Sequence, residues 1–168
     1  HQIHNVSTSI AASRKIFNIS DINIKNSMKK MRLKGRLEEI KSGKLKNLIG
    51  KNRLIIDGGH NINSAISISN WVKQQNEKVH LICGMMNDKP HKEFVNQFEN
   101  SVNSITLIDI PNQEGSISKE EFKKKLGNKN IHTAESIEES LLMNNKDENC
   151  IFLCAGSLYL AGEVLNLN

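Results

Sequence analysis

Asp57-Gly58-Gly59-His60-Asn61 sets a carboxylate and a titratable ring around two glycines. Glycines let a backbone come close to a ligand, Asp57 offers an acceptor, and His60 offers an imidazole. The run Arg53-Leu54-Ile55-Ile56-Asp57 before the cluster reads as a buried strand, and Ile62 to Gln75 after it as a helix. The cluster therefore lies where a strand ends and a helix opens. Open α/β sheets bind ligands there, and free helix-start amides favour anions. The competing reading is structural: a polar β-to-α turn in which Asn61 or Asn63 is an N-cap.

Two further turns carry polar groups. Gly84-Met85-Met86-Asn87-Asp88-Lys89-Pro90 follows Cys83. Lys89 suits a phosphate or a carboxylate, but Asn-Asp-Lys-Pro also reads as an ordinary turn with Pro near the first helical position, and that reading is preferred. Ala155-Gly156-Ser157-Leu158-Tyr159 opens another helix with free amides, a hydroxyl, and Tyr159 in the first turn. No Gly-x-Ser-x-Gly elbow surrounds Ser157, which reads as a binding group and not a nucleophile. Neither a Gly-x-Gly-x-x-Gly motif nor a phosphate loop occurs, so the domain is not expected to hold a dinucleotide or triphosphate unaided. His80, His91 and His132 are scattered, and no metal site is expected.

The elements that must position these turns follow from periodicity. Strands are predicted at Leu54–Asp57, Val79–Cys83, Ile105–Ile108, Ile131–Thr133 and Cys150–Cys154. Helices are predicted at Ile62–Gln75, Lys92–Phe98, Lys119–Leu126, Ser136–Met143 and Leu158–Leu167. Short apolar strands alternating with helices predict an α/β fold with a mostly parallel sheet covered on both faces. Upstream, Val6 to Phe17 and a segment from Ile19-Ser20-Asp21 to Met31 read as two helices. The basic stretch Arg32-Leu33-Lys34-Gly35-Arg36-Leu37 reads as a hinge or linker, and Glu38 to Lys46 as a strand pair or irregular approach.

Charge and composition narrow the partners. The net charge of +5 is dispersed, and Lys123-Lys124-Lys125 sits on a predicted helix as a solvated face. Aromatics at 4% are too few for a base-stacking platform, which argues against nucleic acid. No apolar run would span a bilayer. Cys83, Cys150 and Cys154 form no Cys-x-x-Cys pair; they read as buried thiols in a reducing, cytoplasmic compartment. The start at His1, with no Met and no apolar signal core, reads as a cut inside a longer protein.

In order along the chain, His1-Gln2-x-x-Asn5, Lys34-Gly35-Arg36-Leu37, Asp57-Gly58-Gly59-His60-Asn61, Gly84-Met85-Met86-Asn87-Asp88-Lys89 and Gly156-Ser157-Leu158-Tyr159-Leu160-Ala161-Gly162-Glu163 resemble motifs of dihydrofolate synthase/folylpolyglutamate synthase, in the Mur ligase superfamily. They resemble, respectively, the end of the family's central ATPase domain, its Trp-Pro-Gly-Arg-Leu linker, and its Asp-x-Ala-His-Asn-Pro, Gly-Met-x-x-Asp-Lys and Gly-Ser-Leu-Tyr-Leu-Ala-Gly-Glu signatures. Ile62 stands where the family has Pro, Gly59 where it has Ala, and Leu33-Lys34 where it has Trp-Pro.

The resemblance implies a Rossmann-like three-layer domain over residues 32–168, preceded by a helical remnant of the central ATPase domain over 1–31. It implies ATP-dependent addition of L-glutamate to dihydropteroate or folates through an acyl phosphate, with Mg2+ ligands and the phosphate loop in an amino-terminal portion outside this chain. The chain alone would then be inactive. Carried onto this sequence, Asn5, Arg36 and Asp57 would bind ATP, with Asn5 on the adenine and Arg36 on the γ-phosphate. Asp57, His60, Ser157 and Tyr159 would bind glutamate, and His60 and Arg36 would be catalytic. Partners would be these small molecules and the ATPase domain, in a monomer. Other readings are a Mur-type ligase acting on a cell-wall precursor, and a non-catalytic Rossmann-like binding module.

Overall fold

The computed structural model describes residues 2–31, 33–127, 131–145 and 149–168. His1 and Arg32, which belong to the first motif and the linker above, lie outside them. The contacts divide the chain into two compact units, residues 1–34 and 35–168.

The first unit is a pair of helices, α1 (Gln2–Ile16) and α2 (Asp21–Lys30). Ser20 caps α2 by accepting from the Asn23 amide at 3.3 Å, and Arg14 pairs with Asp21. Between the helices runs a mostly apolar groove of about 460 Å³, lined by Val6, Ile10, Ile24 and Met28. No residue of α2 is buried.

The second unit is built on a six-stranded sheet in the order β1-β2-β6-β3-β4-β5. Its strands are β1 (Glu38–Ile40), β2 (Arg53–Asp57), β3 (Lys78–Cys83), β4 (Ser104–Leu107), β5 (Ile131–Thr133) and β6 (Cys150–Ala155). All neighbours pair in parallel except the edge strand β1, which runs antiparallel to β2. The intervening helices are α3 (Lys44–Leu48), α4 (Ile62–Val72), α5 (His91–Asn96), α6 (Lys119–Leu126), α7 (Ile137–Met143) and α8 (Leu158–Leu167).

Alternation along each strand sorts the core into two layers. Ile55, Leu81, Ile151 and Leu153 meet α4, α5 and α6 through Ile68, Phe94 and Phe122. Leu54, Ile56, Phe152 and Cys154 meet α3, α7 and α8 through Leu45, Leu141 and Val164. The predicted three-layer α/β arrangement with a mostly parallel sheet is the one observed. Cys150 and Cys154 share a face, and all three cysteines are buried and free. Burial pushes the Cys154 thiol up to about 12, so it stays protonated.

Two element predictions need correction. Glu38 to Lys46 is not a strand pair: β1 is followed by a bend and the short helix α3. That helix is held from far along the chain, because the Asn168 carbonyl accepts from the Lys44 amide at 2.8 Å and its side chain from the Lys46 amide at 3.1 Å. Helix α4 stops at Val72 and not Gln75, because the chain tightens to i→i−3 bonds. The Gln74 amide donates to Trp71 at 3.1 Å and the Gln75 amide to Val72 at 3.0 Å. No helix among the described residues is long and apolar enough to cross a membrane.

Candidate active site at the carboxyl rim of the sheet

Parallel pairing decides where the polar turns go. Asp57 of β2 and Cys83 of β3 both register with Ala155 of β6. The turns that follow these three central strands therefore open side by side at one rim. The Gly156 amide donates to the Gly59 carbonyl at 3.1 Å, tying two of them together. Gly156 has φ +114, and a Cβ there would lie 2.8 Å from the Gly84 carbonyl oxygen and 2.9 Å from Cys83 Sγ. Only glycine lets the β6 turn pass this close to the β3 turn.

A cleft of about 310 Å³ lies on this rim, lined by His60, Met86, Asp88, Lys89, Ser157, Leu158 and Tyr159. His60 Nδ1 lies 2.9 Å from the Gly58 carbonyl oxygen, which can only accept, so Nδ1 carries the proton. In the neutral ring Nε2 then holds a lone pair. Asn61 and Ser64 form a reciprocal capping box that starts α4, fixing the chain just after His60. Asn61 therefore caps the helix, and His60, just before it, lines the cleft.

Ser157 is buried and is the N-cap of α8, its Oγ accepting from the Tyr159 amide at 3.1 Å. The hydroxyl proton remains to donate. Tyr159 is half exposed at the mouth. Lys89 Nζ donates to Asp88 Oδ2 at 2.7 Å, and this contact holds the Asp88 carboxyl below its usual range. The turn that carries the pair is braced. Met86 bridges Ser116, the Asn87 amide donates to Gly115 at 2.9 Å, and His91 Nε2 donates to the Met86 carbonyl at 3.0 Å.

Asp57 lies beneath this surface, only 1% exposed. Its Oδ1 accepts from the Gly59 amide at 2.7 Å and its Oδ2 from the Leu37 amide at 2.9 Å. Burial pushes its carboxyl up, against the two amides and Arg36. Arg36 Nη1 is 3.9 Å from Asp57 Oδ1, with the Arg36 side chain 30% exposed. Gly59 has no left-handed φ; what it supplies is room, since a Cβ would lie 2.7 Å from Ser64 Cβ and 2.9 Å from Asp57 Oδ1.

Of the residues expected to act, His60, Ser157 and Tyr159 line one cleft, with Arg36 and Asp57 in the same unit. Asn5 is an exposed residue of α1 in the first unit and borders its groove. Lys89 and Asp88, which sequence reasoning set aside as turn residues, line the cleft as well. The signal for Lys89 was present, as a lysine closely following a strand end. Among the described residues no group of three or more His, Cys, Asp or Glu is placed to hold a metal.

The model of the Mur ligase glutamate ligase domain matches residues 35–158. No curated protein matches the chain. Solved structures do. Folylpolyglutamate synthase from Mycobacterium tuberculosis, complexed with ADP and AMPPCP, superposes with a TM-score of 0.84 at 17% identity, over 99% of this chain and 40% of that one. E. coli FolC in complex with DHPP and ADP gives 0.76 at 19%, over 96% and 38%. The bifunctional folylpolyglutamate synthase/dihydrofolate synthase of Yersinia pestis, complexed with AMPPNP and Mn ion, gives 0.72 at 18%, over 88% and 34%. The chain thus spans at most 40% of the length of these three structures. With a family model covering every strand of the sheet, the chain belongs to the Mur ligase family through its glutamate ligase domain.

Proposed function

We propose that this chain is the carboxyl-terminal part of an ATP-dependent ligase that joins L-glutamate to dihydropteroate or a folate. The observation that carries the reading is the cleft in which His60, Lys89 and the Ser157 hydroxyl converge within the matched domain. Folylpolyglutamate synthases among the solved structures of the same fold, bound to nucleotide, point to the same chemistry.

Lys89 and the Ser157 hydroxyl suit a carboxylate of glutamate, one as a charge and the other as a donor. The lone pair on His60 Nε2 can take the proton that the attacking amine must lose. That amine adds to the acyl carbon of an acyl phosphate, and phosphate leaves as the amide forms. Tyr159 borders the mouth. The exposed edge of the Arg36 guanidinium fits a phosphate group, so the residues present suit one end of a nucleotide. ATP, when bound, supplies the phosphoryl group that activates the acceptor. Asn5 is proposed to hold its adenine and Asp57 to serve the same nucleotide. The Mg2+ ligands are assigned to a preceding portion of the protein, of which α1 and α2 are the end of the ATPase domain. The enzyme is proposed to work in the cytoplasm as a monomer.

Steady-state kinetics of the longer protein test this. Lys89→Ala should raise the KM for glutamate about tenfold or more, the cost of one hydrogen bond to a charged group, with the KM for ATP little changed. Arg36→Ala should lose most activity. Wild-type turnover in both variants, or activity only with a cell-wall precursor in a substrate panel, would exclude the reading. The 168-residue chain alone should release no phosphate from ATP in the presence of glutamate and folate.

A further inference from the structure

Backbone decides where Lys89 and Asp88 stand. Among the described residues Lys89 pairs with Asp88, its neighbour on the same turn, so both charges go where the Met86–Lys89 turn goes. One residue holds both ends of that turn. His91 donates its Nε2 proton to the Met86 carbonyl at 3.0 Å and its amide proton to the Lys89 carbonyl at 2.9 Å. The Met86 carbonyl also accepts from the Lys89 amide at 3.2 Å, which closes the turn and occupies its second lone pair. Pro90 joins Lys89 to His91 with φ −77, fixed by its ring, so the link between them is stiff. The histidine ring is itself anchored. His91 is 6% exposed, and its ring meets the fully buried Phe122 of α6 edge-on at 5.1 Å. The first half of the turn has a separate tether, since the Asn87 amide and side chain donate to Gly115 and Ser116 at 2.9 and 3.3 Å. The second half, which carries Lys89, is held by His91.

We infer that His91 is a positioning residue for the amino-acid substrate: anchored in the core, it clamps the Met86–Lys89 turn and so sets the Lys89 ammonium at the wall of the cleft. Lys89, Asp88 and Met86 line that cleft, and His91 does not. It acts through Lys89. The inference deepens the proposed function and rests on it only for the identity of the carboxylate that Lys89 meets.

Two arms test it, each with a pair of variants that differ in reach and not in chemistry. The Gln side chain can bring an amide nitrogen to the place of Nε2, whereas the Asn side chain carries the same group but is too short. In the 168-residue chain, His91→Asn should leave the circular dichroism unchanged and speed hydrogen exchange at the Lys89 amide about tenfold or more. His91→Gln should exchange close to the wild-type rate. If His91→Asn does not fold, His91→Leu takes its place. Wild-type exchange in the folded short variant, or equal acceleration in both variants, would overturn the clamp, whatever the enzyme does.

In the longer protein, His91→Asn should raise the KM for glutamate about tenfold, with kcat and the KM for ATP little changed, and His91→Gln should recover most of the loss. Added to Lys89→Ala, the Asn change should cost little more, since one residue works through the other. A loss spread evenly over kcat and both KM values, or losses that multiply in the double variant, would show that His91 acts otherwise than through Lys89 and overturn the proposal. A wild-type KM for glutamate in Lys89→Ala would instead remove the role proposed for Lys89, and with it the link from His91 to the substrate. The exchange rates of the first arm would then still decide whether the clamp exists.

Discussion

At the residue scale, the rim depends on atoms that are missing as much as on those present. Gly156 turns at φ +114, where a Cβ would lie 2.8 Å from the Gly84 carbonyl oxygen, a backbone atom with no rotamer to yield. Gly156→Ala should destabilise the protein by about 1–3 kcal/mol through backbone strain, read as a lower urea midpoint, and should also widen the cleft between Ser157 and Lys89. Gly59 is different, as its conformation would admit alanine but Ser64 and Asp57 occupy the space. The resemblance marked Gly59 as a departure from the family's Ala. Its cause, the packing of Ser64 against it, depends on a helix three residues on and could not be read from composition. Lys89 shows the converse. Its type and place after β3 were visible, but nothing local says that the turn faces Ser157, 68 positions along the numbering.

At the scale of elements, what was legible follows from length and periodicity. The continuous apolar runs of β2 and β6 and the caps at Asn61, Ser118 and Ser136 are local signals, and the corresponding elements lie within a few residues of expectation. The five-residue α3 carries too little period to be read, and its amino end is held by Asn168. Helix α5 illustrates how an element serves the site. His91 at its start holds the Met86 carbonyl, packs edge-on against Phe122 at 5.1 Å, and is buried, which pushes its ring below the usual histidine range. Lys125 pushes the same way, while Glu121 and Glu93 oppose it. A depressed histidine contributes stability that is present above its unfolded pKa of about 6.5 and is lost as pH falls through the folded value. Urea midpoints taken from pH 7.5 to pH 5 should therefore fall less in His91→Gln, whose amide can still donate to Met86, than in the wild type. Parallel pH profiles would reject the assignment.

At the scale of the whole molecule, strand order is what brings the chemistry together. With β6 between β2 and β3, the Asp57, Gly84 and Ser157 turns become neighbours. That order has no local sequence signal, since each parallel strand reads alike, and it is the part of the site least visible in the chain. Phe152 lies at the centre of this arrangement, fully buried in β6 with its ring 5.6 Å from His80. Phe152→Ala should cost about 3–5 kcal/mol, measurable as a large drop in unfolding midpoint. The late arrival of β6 has a further consequence for biogenesis. While a ribosome makes this segment, β2 and β3 emerge with a gap between them that only residues near the end can fill. The half-made layer must wait with two raw strand borders open, a hazard for sticking to other nascent chains. Ser157 and the last cleft wall emerge with the same stretch, so the sheet and the cleft on its rim mature in a single closing event.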